Sequence, residues 1–128
     1  MGMSDATWRR HANPWSGWTR FAILPAFALA VWSRVWIGWA ALLPVAALIG
    51  WTFINPRAFP PPADYGAWMT RGVLGERLWL DRANRPIPAH HARAAFLTTI
   101  VAASGLPLLA WGLWVLDPFA SFAGLTLA

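Results

Sequence analysis

The sequence predicts an all-α integral membrane protein: a helical hairpin, a third transmembrane helix, and an amphipathic interfacial segment between them. Three observations carry this. Of 128 residues, 58% are hydrophobic and only 12% are charged, against about 25% charged in an ordinary soluble domain. Two apolar runs, 21–54 and 94–116, hold a single charged residue between them, Arg34. Eleven tryptophans stand mostly at the edges of these runs. An indole has an apolar ring and one N–H donor, so it settles where hydrocarbon meets water.

The elements follow in order. Residues 1–20 form a polar arm carrying Arg9, Arg10 and Arg20, and Asn13-Pro14 is a turn signal leading into the first helix. No small-x-small cleavage site follows convincingly, so the first helix is expected to serve as an uncleaved signal anchor. The run 21–54 is too long for one crossing, which takes roughly 20 helical residues. Ser33-Arg34 divides it. An arginine costs little at an interface and several kcal/mol at a bilayer centre, so a hairpin turning near Arg34 is expected. One helix then runs to about Trp32 and the next starts at about Val35. The alternative for Arg34 is a buried cation paired with an acid across helices. Pro25 and Pro44 are expected as kinks inside these helices.

Residues 55–93 are the polar loop. Asn55-Pro56 opens it and Pro60-Pro61-Pro62 gives a stiff exit. Asp64 is expected to cap a short amphipathic helix carrying Tyr65, Trp68, Met69 and Val73, weakened by Gly72 and Gly75. Glu76–Arg82 reads as a second short surface helix, broken by Arg85-Pro86-Ile87-Pro88. Residues 94–116 are the third span, with Pro107 inside and Asp117-Pro118 ending it. The tail 117–128 is apolar but too short to cross. It belongs either to a fourth helix cut short or to a segment dipping back into one leaflet. The chain reads as one membrane domain, 1–128.

Small residues at helix-packing spacing (Ala22, Ala26, Ala30; Ala46, Gly50; Ala94, Thr98, Ala102) suggest packed helices. Nine of the ten arginines lie in the arm or the loop. By the positive-inside rule both are cytoplasmic.

Chemistry is sparse. There is no cysteine, so thiolate catalysis and thiolate metal sites are excluded. His11, His90 and His91 are the only histidines. Adjacent histidines on a helix point about 100° apart and chelate poorly, so no haem or structural metal is expected. His90 and His91 are the weak candidates for an interfacial pigment. Glu76 and Asp81 stand beside Arg77 and Arg82, and a local ion-pair network that orders the loop is preferred over a general-acid pair. The spans hold no Asp or Glu, which weighs against an ion-coupled transporter. The net charge of +5 sits beside membrane segments and points to anionic lipid rather than nucleic acid. Arg77, Arg82, Arg85, Trp68, Trp79, Trp36 and Trp39 are the expected interface and head-group residues.

The segments His-Ala-Asn-Pro-Trp-Ser-Gly-Trp-Thr-Arg-Phe (11–21), Trp-Ser-Arg-Val-Trp-Ile-Gly-Trp (32–39), Asn-Pro-Arg-Ala-Phe-Pro-Pro-Pro (55–62) and Gly-Glu-Arg-Leu-Trp-Leu-Asp-Arg with Ile-Pro-Ala-His-His (75–91) resemble a family of small prokaryotic membrane proteins, the domain-of-unknown-function family numbered 6653. The resemblance spans nearly the whole chain. It implies several membrane helices and a longer C-terminus, and it transfers no functional residues. The expected role is that of a non-catalytic accessory or assembly subunit of an energy-transducing complex, respiratory or photosynthetic, touching lipids and other membrane subunits. The rival is a small membrane enzyme or carrier that holds a lipid or anionic substrate with Arg77, Arg82, Arg85, His90 and His91, using Glu76 or Asp81 as base.

Overall fold

The computed structural model describes residues 3–128. All regular structure in them is helical: α1 Asp5–His11, α2 Pro14–Phe21, α3 Ile23–Trp32, α4 Arg34–Ile37, a 3-10 turn Gly38–Ala41, α5 Leu42–Ala58, α6 Trp68–Leu80, α7 Ala89–Val115 and α8 Pro118–Leu127. Two stretches, Pro14–Ala58 and Ala89–Val115, are long and apolar enough to cross a membrane. Contacts divide the chain into two compact units, Met1–Ile23 with Ala46–Pro86, and Leu24–Val45 with Ile87–Ala128.

In the first unit the polar arm is itself folded. Ser4 caps α1, its hydroxyl accepting from the Thr7 amide. Asn13 caps α2 by accepting from the Trp15 amide at 2.9 Å, with Pro14 at the first helical position. Proline is favoured there because that N–H has no helical partner. Trp8, Ala12 and Val73 form a small buried cluster against Met3 and Leu74. The Thr70 hydroxyl donates to the Ala12 carbonyl at 2.7 Å, tying α6 to the arm.

The loop differs from its expected form. Asp64 does not cap the helix. Its carboxylate accepts from the Gly66 amide in a turn upstream, and α6 begins at Trp68 with no side-chain cap. The two expected short helices are one continuous helix, Trp68–Leu80. Gly72 and Gly75 cost propensity, roughly 1 kcal/mol each, but packing of Thr70 and Val73 against the arm holds the helix together. Asn55-Pro56 does not open the loop either: α5 continues through Pro56 to Ala58. The proline has no N–H for the Thr52 carbonyl, and the helix ends within one turn.

In the second unit the helical path breaks at Gly38, four residues beyond the turn expected at Ser33-Arg34, and the next long helix starts at Leu42 instead of about Val35. The Gly38 φ of 56° and ψ of −130° lie where only glycine is unstrained. Pro25 and Pro44 are the third residues of α3 and α5. The first four N–H groups of a helix lack helical partners, so these prolines sit at helix starts instead of kinking helix interiors.

The third helix starts five residues earlier than expected, at Ala89. Leu116 ends it with a left-handed φ of 58°, and Asp117 then caps α8, accepting from the Phe119 and Ala120 amides at 2.9 and 3.1 Å. The tail is thus a helix folded back along α7. The two backbones touch at glycines. A Cβ on Gly124 would lie 2.3 Å from the Leu109 nitrogen, and one on Gly112 would lie 2.3 Å from the Ser121 nitrogen. Of the expected small-residue rows, only Ala30 is buried. Gly50 has open space around it. Close packing uses Gly105, Gly112, Ser121 and Gly124 instead.

Candidate functional site

A connected cluster of polar side chains lies in the first unit, where α2 meets the end of α5 and α6. Ser16, Thr19 and Arg20 share one face of α2, at the three- and four-residue spacing of a helix. His11 comes from the end of α1 and Asn55 from α5. His11, Ser16 and Asn55 are each at most 1% exposed.

Hydrogen bonds run through these side chains in one direction. Arg20 Nη1 meets His11 Nε2 at 2.7 Å. His11 Nδ1 meets Ser16 Oγ at 3.0 Å. Ser16 Oγ donates to Asn55 Oδ1 at 2.7 Å. Asn55 Nδ2 donates to Thr19 Oγ1 at 2.7 Å, and Thr19 Oγ1 donates to the Trp15 carbonyl at 2.7 Å. The two ends fix every proton between them. A guanidinium can only donate and a carbonyl can only accept. Nε2 of His11 must therefore accept, Nδ1 must carry the proton, and each later group passes its own proton onward.

The charge state of His11 agrees with this. Burial and then the Arg20 guanidinium hold its pKa below the ordinary 6.5, with Glu76 pulling weakly the other way. A neutral ring is the only form that can accept from Arg20. Arg20 in turn donates to Glu76 at 2.9 Å, so the chain extends from a carboxylate on α6 to the α2 backbone. No buried polar side-chain atom among the described residues lacks a partner.

This arrangement bears on catalysis. A Ser–His pair suggests a nucleophile and its base, but here the histidine donates to the serine, and the serine proton is committed to Asn55. His11 has no free basic nitrogen. The cluster orders α1, α2, α5 and α6, with the polar groups satisfied and none poised to react.

The residues singled out from sequence are placed as follows. Arg77 donates to Asp5 of α1 and lies 5.8 Å from the Trp8 ring. Glu76 pairs with Arg20. These two ion pairs join distant segments and are not the local network expected. Asp81 and Arg85 do form a local pair at 3.2 Å. Arg82 folds onto its own helix, donating to the Trp79 carbonyl and lying 4.7 Å over the Trp79 ring. Arg77 and Arg85 line one recess of about 260 Å³ with Leu74, Leu78 and Asp81, and Arg82 is not among its walls. Trp68 is 72% exposed and lies 6.2 Å from Trp18.

In the second unit His90 and His91 occupy the first turn of α7, exposed, with ring centroids 4.0 Å apart. His90 lines a recess of about 590 Å³ with Ala89, Arg93, Ala94 and Leu97. Among the described residues no three His, Cys, Asp or Glu side chains group to hold a metal ion. Trp36 and Trp39 flank Gly38 and are among the most exposed residues, Trp39 at 88%. Arg34 is not paired with an acid: its Nη2 donates to the carbonyls of Leu113 and Trp114 at 2.5 and 2.8 Å, capping the C-terminal end of α7.

Sequence reasoning missed the His11–Ser16–Asn55–Thr19 chain. One signal was available: Ser16, Thr19 and Arg20 make a polar stripe on a helix otherwise rich in indoles. The partner, Asn55, lies 39 residues from Ser16 and carries no local mark.

The family model described as a family of unknown function, DUF6653, matches residues 1–128, and the chain belongs to that family. Neither the curated proteins nor the solved structures contain a match.

Proposed function

We propose that this chain is an integral protein of a prokaryotic cytoplasmic membrane that acts by contact, as an accessory or assembly subunit of a larger membrane complex. The observation that carries the reading is an inverted burial pattern. The fully buried side chains include His11, Ser16, Asn55 and Thr70, while Trp36, Trp39, Trp68, Trp114 and Phe119 are more than two-thirds exposed. In water each exposed apolar Å² forfeits roughly 25 cal/mol, so such a surface needs a cover of lipid or protein. The buried polar groups lie in the arm and the loop and satisfy one another, as a water-excluded interior requires.

A contact role is supported over catalysis by the polar cluster itself, whose protons are all committed. The arginine distribution supports a cytoplasmic arm and loop. Alkaline carbonate extraction of native membranes tests embedding, and release into the supernatant would sink that part. Purification in mild detergent tests the contact role: a stoichiometric partner is expected. Photo-crosslinkers at Trp39 and Trp114 should give discrete protein adducts, and a clean monomer labelled by lipid alone would refute it.

A further inference from the structure

We infer that Arg34 and the clefts beside it form a binding site for one anionic phospholipid, with the phosphate on the guanidinium and an acyl chain in the neighbouring apolar cleft. The inference rests on the membrane reading above and is independent of the contact role.

Arg34 is only part-exposed, and it is the one formal cation in residues 24–56. Among the described residues it has no carboxylate partner. Asp117, the nearest acid in sequence to the α7 terminus, is occupied in capping α8. Two donors of the Arg34 fork are used on the Leu113 and Trp114 carbonyls through Nη2. Nε and Nη1 make no hydrogen bond among the described residues. A guanidinium has five N–H donors in a fixed fork that matches phosphate, so its bonds to Leu113 and Trp114 hold it rigid while leaving the remaining edge for an anion. Helix carbonyls offset part of its charge, but they supply no counter-ion.

The surroundings fit a lipid. Arg34 lines a recess of about 430 Å³ with Val35, Gly38, Trp39 and Leu116. Trp39 supplies an indole wall, and indoles favour the depth of lipid head groups. A second cleft of about 440 Å³ is walled by Pro25, Leu29, Trp32, Leu113, Phe122 and Leu125 among others, almost wholly apolar. Leu113 relates the cation to the cleft: its carbonyl receives the guanidinium, and the same residue is among those that line the apolar cleft. A free phosphate would satisfy the cation and leave the apolar cleft empty, whereas a phospholipid fills both.

The test uses the full chain, delipidated in mild detergent. Phosphatidylglycerol, phosphatidylcholine and inorganic phosphate are titrated separately, with binding read by native mass spectrometry. Phosphatidylglycerol is expected to bind at one site at least tenfold more tightly than phosphatidylcholine. Arg34→Ala should abolish that preference, and Arg34→Lys should keep only part of it. Ala28 also lines the apolar cleft, and Ala28→Phe, which narrows it and leaves Arg34 in place, should weaken phosphatidylglycerol binding. It decides the matter if Arg34→Ala fails to fold. Equal binding of the two lipids, a preference that survives Arg34→Ala, no effect of Ala28→Phe, or displacement of the lipid by inorganic phosphate would each overturn the site. A chain that stays soluble without detergent would instead overturn the membrane reading.

Discussion

Replacing Asn55 by Leu probes the buried chain at its centre. The two side chains have the same branched shape and number of heavy atoms, and leucine is the bulkier, so no cavity is opened. The loss is one of pairing. Ser16 Oγ–H, 0% exposed, loses its acceptor at 2.7 Å, and Thr19 Oγ1 loses its donor at 2.7 Å. A buried group left unsatisfied costs about 1–3 kcal/mol. Thr19 still donates to Trp15, so its share is smaller. The expected destabilisation is about 2–4 kcal/mol. Unfolding free energy from SDS titration in mixed micelles, followed by tryptophan emission, measures it. A stronger demand comes from combination. Ser16→Ala orphans His11 Nδ1–H and Asn55 Oδ1, and Thr19→Val orphans Asn55 Nδ2–H. The triple variant Ser16→Ala, Thr19→Val, Asn55→Leu orphans only His11. Its cost should fall short of the summed single costs by about 2 kcal/mol or more, since groups in one network do not add. A cost for Asn55→Leu within the roughly 0.5 kcal/mol of a surface change, or strict additivity in the triple variant, would refute the one-directional chain.

Other expectations follow from the same geometry. Because the folded-state pKa of His11 lies below 6.5, the unfolded chain takes up the proton first on acidification. Stability is then full above about pH 6.5, falls by up to about 1.4 kcal/mol per pH unit below it, and levels off below the folded-state pKa. The thermal midpoint should drop between neutral pH and the onset of carboxylate protonation, and this component should vanish in His11→Gln. Gly124→Val would press a Cβ into the Leu109 backbone and should cost about 1–3 kcal/mol in the same micelle titration. Gly50→Ala, with open space around it, should be neutral or slightly stabilising. Reporter fusions at Pro61 and Asp117 should report opposite sides of the membrane, and matching reports would refute the proposed topology.

What the sequence by itself determined were the features written locally. The long apolar runs became the long helices, because a helix pairs its backbone groups within its own segment. Asn13-Pro14 places the start of α2. Asp117-Pro118, read from sequence only as a stop, is chemically the same signal, a capping side chain followed by proline at the first helical position. The cost of burying Arg34 pointed to a turn at Ser33-Arg34, but Arg34 lies in α4 and the backbone reverses its φ only at Gly38, four residues on. The tertiary structure decided which groups meet. Ser16 finds Asn55 across 39 residues, Arg20 finds Glu76 across 56, and Arg77 finds Asp5 across 72. The packing glycines were equally hidden. In a chain rich in alanine and glycine, small residues at helical spacing occur by chance, and only the approach of α8 to α7 distinguishes Gly112 and Gly124 from Gly50. Spacing within one helix is a local property that the order of residues carries. The partner across an interface depends on how the chain returns, and no single segment holds that information.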